Sequence, residues 1–179
     1  VDDLLADGPP RQALVEEFGK ELGEIIDILN AVALVRAAAP RSRDMVAGYG
    51  EIWSTRLLAA YLEQQQADDP LQRAVHWVDA RRILVVEHGE LGPGVVWGAS
   101  RERVEHHFPC DAAAIAIVTG FIASDTEGLQ TTLGRNGSDF SASILGALLE
   151  AASITIWTDV SGVLSADPNR VPEAAEIAE

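Results

Sequence analysis

The hydrophobic pattern of this chain changes period several times, and each change marks a switch between helix and strand. Helices are predicted over Arg11 to Ala38, continuous or interrupted, then over Glu51 to Gln66, Arg101 to His107 and Asp139 to Ala152. Within the last of these, Ser143 to Ala152 is apolar and rich in strong helix formers. Strands are predicted at Ala74 to Val78, Ile83 to Val86, Ala113 to Thr119 and Ile154 to Thr158. The run from Ala112 to Val118 is apolar throughout, as short buried parallel strands are, and it meets Gly120. Gly89-Glu90-Leu91-Gly92-Pro93-Gly94 reads as a turn-rich connection, and the alanine-rich stretch after Pro172, with Glu173, Glu176 and Glu179, reads as an exposed helix. Helices alternating with strands predict an α/β chain, a parallel or mixed sheet with helices on both faces.

Composition leaves that picture in place and narrows the function. A chain of 179 residues, 47% of them apolar and 23% charged, suits one soluble domain with a core. It has no run of 18 apolar residues, and Val1-Asp2-Asp3 lacks the basic start of a signal peptide; neither membrane nor export is indicated, and the cytoplasm is the expected location. A net charge of −15 argues against nucleic acid, which is bound through clustered Lys and Arg. The same charge repels anionic ligands, so an anion site needs a local focus such as Arg135, Arg170 or Arg81 together with helix N-termini. The only lysine, Lys20, sits among Glu16, Glu17, Glu21 and Glu24, which reads as a solvated helix face. One cysteine, Cys110, excludes an internal disulfide, and the adjacent His106 and His107 diverge on a helix, so these histidines are not expected to bind a metal.

Against that acidic background, Leu133-Gly134-Arg135-Asn136-Gly137-Ser138-Asp139-Phe140-Ser141-Ala142 sets two glycines, a cation, two hydroxyls and a carboxylate at a predicted helix start. Backbone N–H groups at a helix N-terminus, backed by the helix dipole, attract anions, and glycine lets the backbone approach them closely. Asp139 has the wrong sign for a plain anion nest and suits a metal-holding or group-positioning role. Taken alone, the segment reads equally well as an ordinary turn and helix cap. About twenty residues later comes Ile154-Thr155-Ile156-Trp157-Thr158-Asp159-Val160-Ser161-Gly162-Val163, then Ser165-Ala166-Asp167-Pro168. Thr158, Asp159 and Gly162 fall at a predicted strand end, where open α/β sheets place their ligands.

The GRNGSD segment and the WTDVSGV and ADP segments resemble the nucleotide-binding half of aspartate kinases, members of the amino-acid kinase family. Other stretches agree in the same order. Gly50-Glu51-Ile52-Trp53-Ser54 is similar to the family's Gly-Glu-x-x-Ser helix start, Val78-Asp79-Ala80-Arg81 to its Asp-Ala-Arg strand end, and Thr119-Gly120-Phe121-Ile122 to its Gly-Phe turn. The resemblance runs from about Leu29 to Pro172. It implies a three-layer α/β/α sandwich of the amino-acid kinase, carbamate kinase-like type, mostly parallel and incomplete here. Residues 1–110 would be an acceptor-binding part and 111–179 a nucleotide-binding part of one domain.

The resemblance also implies a reaction: phosphoryl transfer from Mg-ATP to the side-chain carboxylate of L-aspartate, with ATP and Mg²⁺ as cofactors and a homodimer as the assembly. Asp139 and Arg135 would be catalytic. Glu51, Ser54, Gly134, Arg135 and Ser138 would bind the acceptor, Glu51 through its amino group and Arg135 through a carboxylate. Thr158, Asp159, Gly162, Asp167 and Arg170 would bind the nucleotide. Family members often carry tyrosine where this chain has Leu164, which removes an aromatic contact to adenine. Two further departures lead to the expectation of a fragment lacking the full catalytic machinery. The family's opening Lys-Phe-Gly-Gly-Thr-Ser-like loop is missing, and the chain ends at Glu179, where family members continue. A non-catalytic nucleotide-binding or dimerising fragment therefore stays open, as does a kinase for glutamate, N-acetylglutamate or carbamate.

Overall fold

The computed structural model describes the chain apart from residues 2–3, 67–69, 72, 91, 110, 112, 158–161, 163, 168–169, 176 and 178–179. Two long helices come first, α1 (Pro9–Val35) and α2 (Pro40–Gln65), each with proline in its first turn, where the missing N–H costs nothing. α1 stops at Arg36, whose left-handed backbone (φ 54°) reverses the chain. The hairpin is held by a polar seam. Tyr49 Oη donates to Glu24 Oε2 at 2.5 Å, Trp53 Nε1 to Glu21 Oε2 at 2.7 Å, and Arg56 Nη1 to Glu21 Oε1 at 2.6 Å. Phe18 and Tyr49 flank the Trp53 ring at centroid distances of 5.6 and 5.8 Å. The acidic face around Lys20 is therefore only partly solvated, because Glu21 and Glu24 turn inward to α2. Burial, then the hydrogen bond and charge of Glu24, push the Tyr49 phenol up to about 12.

α2 runs straight through Gly48 and Gly50, so Glu51 sits in mid-helix. This corrects the expected helix start at Gly50. The start signal was Pro40, and Gly48 serves packing: a side chain there would collide with the Gln130 carboxamide.

The strands follow in chain order: β1 (Val75–Val78), β2 (Val86–Gly89), β3 (Gly92–Val95), β4 (Ile115–Val118), β5 (Ile122–Ser124) and β6 (Gln130–Thr132). β1 and β4 pair in parallel from Val75↔Ile115 to Val78↔Val118, while β2–β3 and β5–β6 are antiparallel. A parallel bridge between Val85 and Ser124 links the neighbourhoods of β2 and β5. The strand predicted at Ile83 to Val86 starts late: Ile83 and Leu84 are not in strand, Val85 makes only the bridge, and Val86 opens β2. A 3-10 turn (Ala80–Arg82) follows β1, and the amides of Ile83 and Leu84 bond back to the Ala80 carbonyl at 3.0 and 2.7 Å, which delays β2 to Val86. The expected Gly89–Gly94 connection is the tip of the β2–β3 hairpin.

α3 (Trp97–His107) and α4 (Gly137–Leu148) complete the described helices. Ile52 of α2, Ala80, Ile83, Leu84, Ile122 and Ile144 of α4 are at most 2% exposed and form the centre of the core. Two predicted elements are absent among the described residues. Ile154 to Trp157 lies in no strand, with Trp157 92% exposed; β-branched residues favour a strand, yet no described partner strand supplies the ladder. Ile154 folds back onto Gly146 of α4 instead. After Pro172, Glu173 lies in a turn and Ala174, Ala175 and Ile177 lie in no helix, while Glu176 and Glu179 of the expected helix lie outside the described residues; the Ser165 amide bonds the Ala175 carbonyl at 2.9 Å and the Ala175 amide the Ser165 hydroxyl at 3.1 Å.

Candidate functional site

The Gly134–Asp139 segment lies at a helix start: α4 begins at Gly137, after Asn136 in the left-handed region (φ 57°) and Gly134 at φ 75°. Left-handed residues on either side of Arg135 turn the loop sharply after Leu133, whose amide is fixed to the Phe121 carbonyl at 2.8 Å. The Gly137 amide closes onto the Gly134 carbonyl at 3.1 Å, and the Phe140 amide starts the helical ladder on the Asn136 carbonyl at 3.0 Å. No bond among the described residues takes up the N–H groups of Ser138 and Asp139, which are therefore free to meet a ligand oxygen.

A second turn backs the first. Phe121 holds a left-handed backbone (φ 66°), uncommon for an aromatic residue. Its amide donates to Ser141 Oγ at 2.9 Å, and that hydroxyl donates to the Gly137 carbonyl at 2.7 Å. Gly137 packs so closely here that an added Cβ would stand 2.8 Å from Phe121 Cδ2 and 3.2 Å from Leu133 Cβ. Gly120 lies as close to Ser138, 3.2 Å from its Oγ by the same measure. Backbone strain at a site wall persists only where its surroundings over-determine it, and Ser141, buried at 2% exposure, is what fixes it here.

Facing this loop across an open cleft of about 540 Å³ is α2, with Ala47, Gly50 and Glu51. The cleft thus brings Glu51 together with Gly134, Arg135, Ser138 and Asp139, residues more than eighty positions away. Arg135 is the one cation among the lining residues. Desolvation raises the Glu51 carboxyl above its ordinary value, and no hydrogen bond or ion pair holds its carboxylate among the described residues. A half-buried, unpaired carboxylate facing a lone guanidinium and two free amides can receive an ammonium group on one side and an anion on the other.

Other predicted residues do not share the cleft. Ser54 is exposed one turn further along α2, and its hydroxyl donates to the Glu51 carbonyl at 3.2 Å. Gly162, Asp167 and Arg170 are exposed and not among the lining residues; the Asp167 carbonyl accepts the Arg170 and Val171 amides at 3.0 and 2.8 Å. Thr158 and Asp159 lie outside the described residues, as does Cys110. Arg81, one of three expected cationic foci, is already committed. Its Nε lies 2.9 Å from both Asp79 oxygens and its Nη2 2.5 Å from Oδ2. Burial lowers the Arg81 pKa, but the hydrogen bond and charge of Asp79 outweigh it and leave it raised.

Sequence reasoning missed Gln130 and Ser141. Ser141 fell within the diagnostic segment and could have been suspected as a helix-face hydroxyl. Gln130, a lone amide in a short polar strand, carries no motif.

A model of the amino acid kinase family matches residues 6–179. The chloroplastic bifunctional aspartokinase/homoserine dehydrogenase 1 of Arabidopsis thaliana is 39% identical over 175 residues, which cover 96% of this chain and 18% of that protein. Bifunctional aspartokinase/homoserine dehydrogenase 2 of Escherichia coli is 41% identical over 129 residues, 72% of this chain and 15% of that protein. The fold is similar to that of E. coli aspartokinase III crystallised with aspartate and ADP, at TM-score 0.74 and 32% identity over 90% of this chain and 35% of that one. The chain thus spans about a fifth or less of the length of these curated relatives.

Proposed function

The chain belongs to the amino acid kinase family, and from that premise we propose that it serves as an aspartate kinase, moving a phosphoryl group from Mg-ATP to the side-chain carboxylate of L-aspartate to give 4-phospho-L-aspartate. The observation that carries the proposal is the cleft that sets Glu51 of α2 opposite the Gly134–Asp139 helix start. That pairing supplies opposite charges at two ends of a small zwitterionic acceptor, and the aspartate-bound and ADP-bound relative supports the same acceptor and nucleotide class.

A carboxylate is already a nucleophile, so the transfer needs no general base. Catalysis reduces to aligning the acceptor oxygen with the phosphorus and neutralising developing charge. Glu51 accepts the acceptor's ammonium group, and Arg135 pairs with its carboxylate. Gly134, Gly137 and Ser138 admit the migrating phosphoryl group to the helix N-terminus. No cluster of three or more metal-ligating side chains occurs among the described residues, and Asp139, the cleft carboxylate not given to the acceptor, suits a cation that takes most of its other oxygens from water and phosphate. Asp139 is the residue that would hold it. When bound with the nucleotide, Mg²⁺ supplies charge neutralisation. Thr158, Asp159, Gly162, Asp167 and Arg170 are assigned to the nucleotide in this proposal, with residues 1–110 serving the acceptor and 111–179 the nucleotide. A homodimer and a cytoplasmic location belong to it as well.

The test is L-aspartate-dependent ADP release with Mg-ATP, by the longest natural gene product containing these residues and by the 179-residue chain in parallel. Turnover by the long form establishes the reading; silence from both, with glutamate and N-acetylglutamate also tried, overturns it. A second reading, that the 179-residue chain binds without transferring phosphate, is favoured by one feature: Arg135 stands alone as a cation in the cleft, while Lys20 lies on α1.

A further inference from the structure

We propose that Gln130, which lies outside the cleft, is a positioning residue that sets the spacing between its two walls. The side chain projects from the first residue of β6, three positions before Leu133 and the loop that carries Arg135 and Asp139. Its Nε2 donates to the carbonyls of Asp44 and Met45 on α2 at 2.9 and 3.2 Å, within a turn of Ala47 and about one and a half to two turns before Gly50 and Glu51. Its Oε1 accepts from Arg81 Nη1 at 2.7 Å, and Arg81 is itself clamped to Asp79 at the end of β1. One carboxamide therefore joins the helix of one wall, the strand that leads into the other, and the ion pair at the end of β1.

The chemistry of the contacts selects glutamine. An amide presents donors at one end and an acceptor at the other, and here the donors face two carbonyls while the acceptor faces a guanidinium, so only one orientation satisfies all three. Glutamate would keep the contact to Arg81 but turn an oxygen against two carbonyl oxygens. Methionine would keep the volume and lose both ends. The backbone is shaped to fit. Gly48 faces the carboxamide directly, and a Cβ there would collide with Gln130 Nε2 and stand 3.1 Å from Ile122 Cγ2. A second, longer tie from Thr132 Oγ1 to Asp44 Oδ1 at 3.4 Å runs alongside. Gln130 thus acts on the acceptor through α2, without touching it.

The inference rests on the proposed aspartate kinase reading for its kinetic arm only. In the longest natural gene product, Gln130→Glu and Gln130→Met are compared with wild type. A misplacement of a wall by a fraction of an ångström to an ångström predicts a rise of roughly 10- to 100-fold in KM for aspartate, with KM for ATP changed by less than about threefold. Gly48→Ala should give the same split, and in a Gln130→Ala background, where the carboxamide is gone, Gly48→Ala should add little. Hydrogen exchange in the ligand-free protein reads the same geometry without turnover: peptides over 44–52 and 131–140 should exchange faster in Gln130→Glu, while 75–78 and 115–118 should not. Equal rises in both KM values, or exchange raised uniformly or not at all, overturns the positioning role. If wild type does not turn over aspartate, the kinase reading fails, and the exchange pattern alone decides for Gln130.

Discussion

Replacing Gly137 by alanine tests whether the site loop has any slack. By intrinsic preference alone, alanine in a helix stabilises by about 0.5–1 kcal/mol relative to glycine. Gly19→Ala in α1, where an added Cβ meets nothing within 4 Å, isolates that gain. At Gly137 the new Cβ would stand 2.8 Å from Phe121 Cδ2 and 3.2 Å from the Phe121 Cα. The Phe121 turn or the start of α4 must retreat by roughly half an ångström to restore a contact of about 3.5 Å. Phe121 cannot yield easily, because its left-handed backbone is pinned by Ser141 and by the Leu133 amide. Overpacking of this kind costs about 1–3 kcal/mol; taking about 2 kcal/mol against a helix gain of about 0.5–1 kcal/mol leaves a net loss of about 1–1.5 kcal/mol. Thermal unfolding followed by circular dichroism should show a midpoint lowered by about 2–6 °C, and kcat/KM for aspartate should fall about tenfold as Ser138 and Asp139 move. A Gly137→Ala protein as stable as Gly19→Ala, with unchanged kcat/KM, would refute the reasoning.

Three further substitutions, two in the site and one in the helical hairpin, have outcomes fixed by the same structure. Glu51→Gln should raise KM for aspartate about 10- to 100-fold, the worth of a charge-assisted hydrogen bond, while leaving KM for ATP nearly unchanged, as steady-state kinetics will show. Because burial raises the Glu51 pKa, the folded state holds its proton to higher pH than the unfolded chain. Ionisation therefore opposes folding at neutral pH, and the Gln variant should be the more stable form there, with the difference vanishing below the carboxylate range in denaturant melts. Asp139→Asn should collapse turnover, and an unaffected rate would remove its assigned role. The Tyr49 phenol ionises near 10 when unfolded and near 12 when folded, so stability should fall as pH rises through that window; Tyr49→Phe should flatten the alkaline slope of a pH series of unfolding curves.

The parts of this fold written in local chemistry were readable from the chain. The glycines of the GRNGSD segment announced a loop and helix start, and Gly134 takes the left-handed backbone that few other residues accept, whereas the Gly120-Phe121 turn was expected from the family resemblance alone, since nothing in a phenylalanine announces a left-handed backbone. Errors came where a residue's reason is tertiary. Gly50 read as a helix start, yet α2 passes through it, and the neighbouring Gly48 exists to admit the Gln130 side chain. Ile154 to Trp157 has strand-like residues but no strand beside it among those described. Ile83 and Leu84 look like strand and are drawn into the turn after β1 by the Ala80 carbonyl. The cleft itself is a fact of packing: nothing in the residues around Glu51 or around Arg135 says that they face each other.

That separation has a consequence in time. The β5–β6 hairpin closes a short loop between Ser124 and Gln130, whereas β1 and β4 pair across about forty residues. Three doublings of loop length raise the closure cost by about 2 kcal/mol, so the hairpin can form early and the β1–β4 pair must wait for contacts that repay it. The two walls of the cleft, from the first and last thirds of the chain, meet later still. A refolding chain should regain its far-ultraviolet helical signal, and even its Gly134–Asp139 turn, before it can hold a small zwitterion between Glu51 and Arg135.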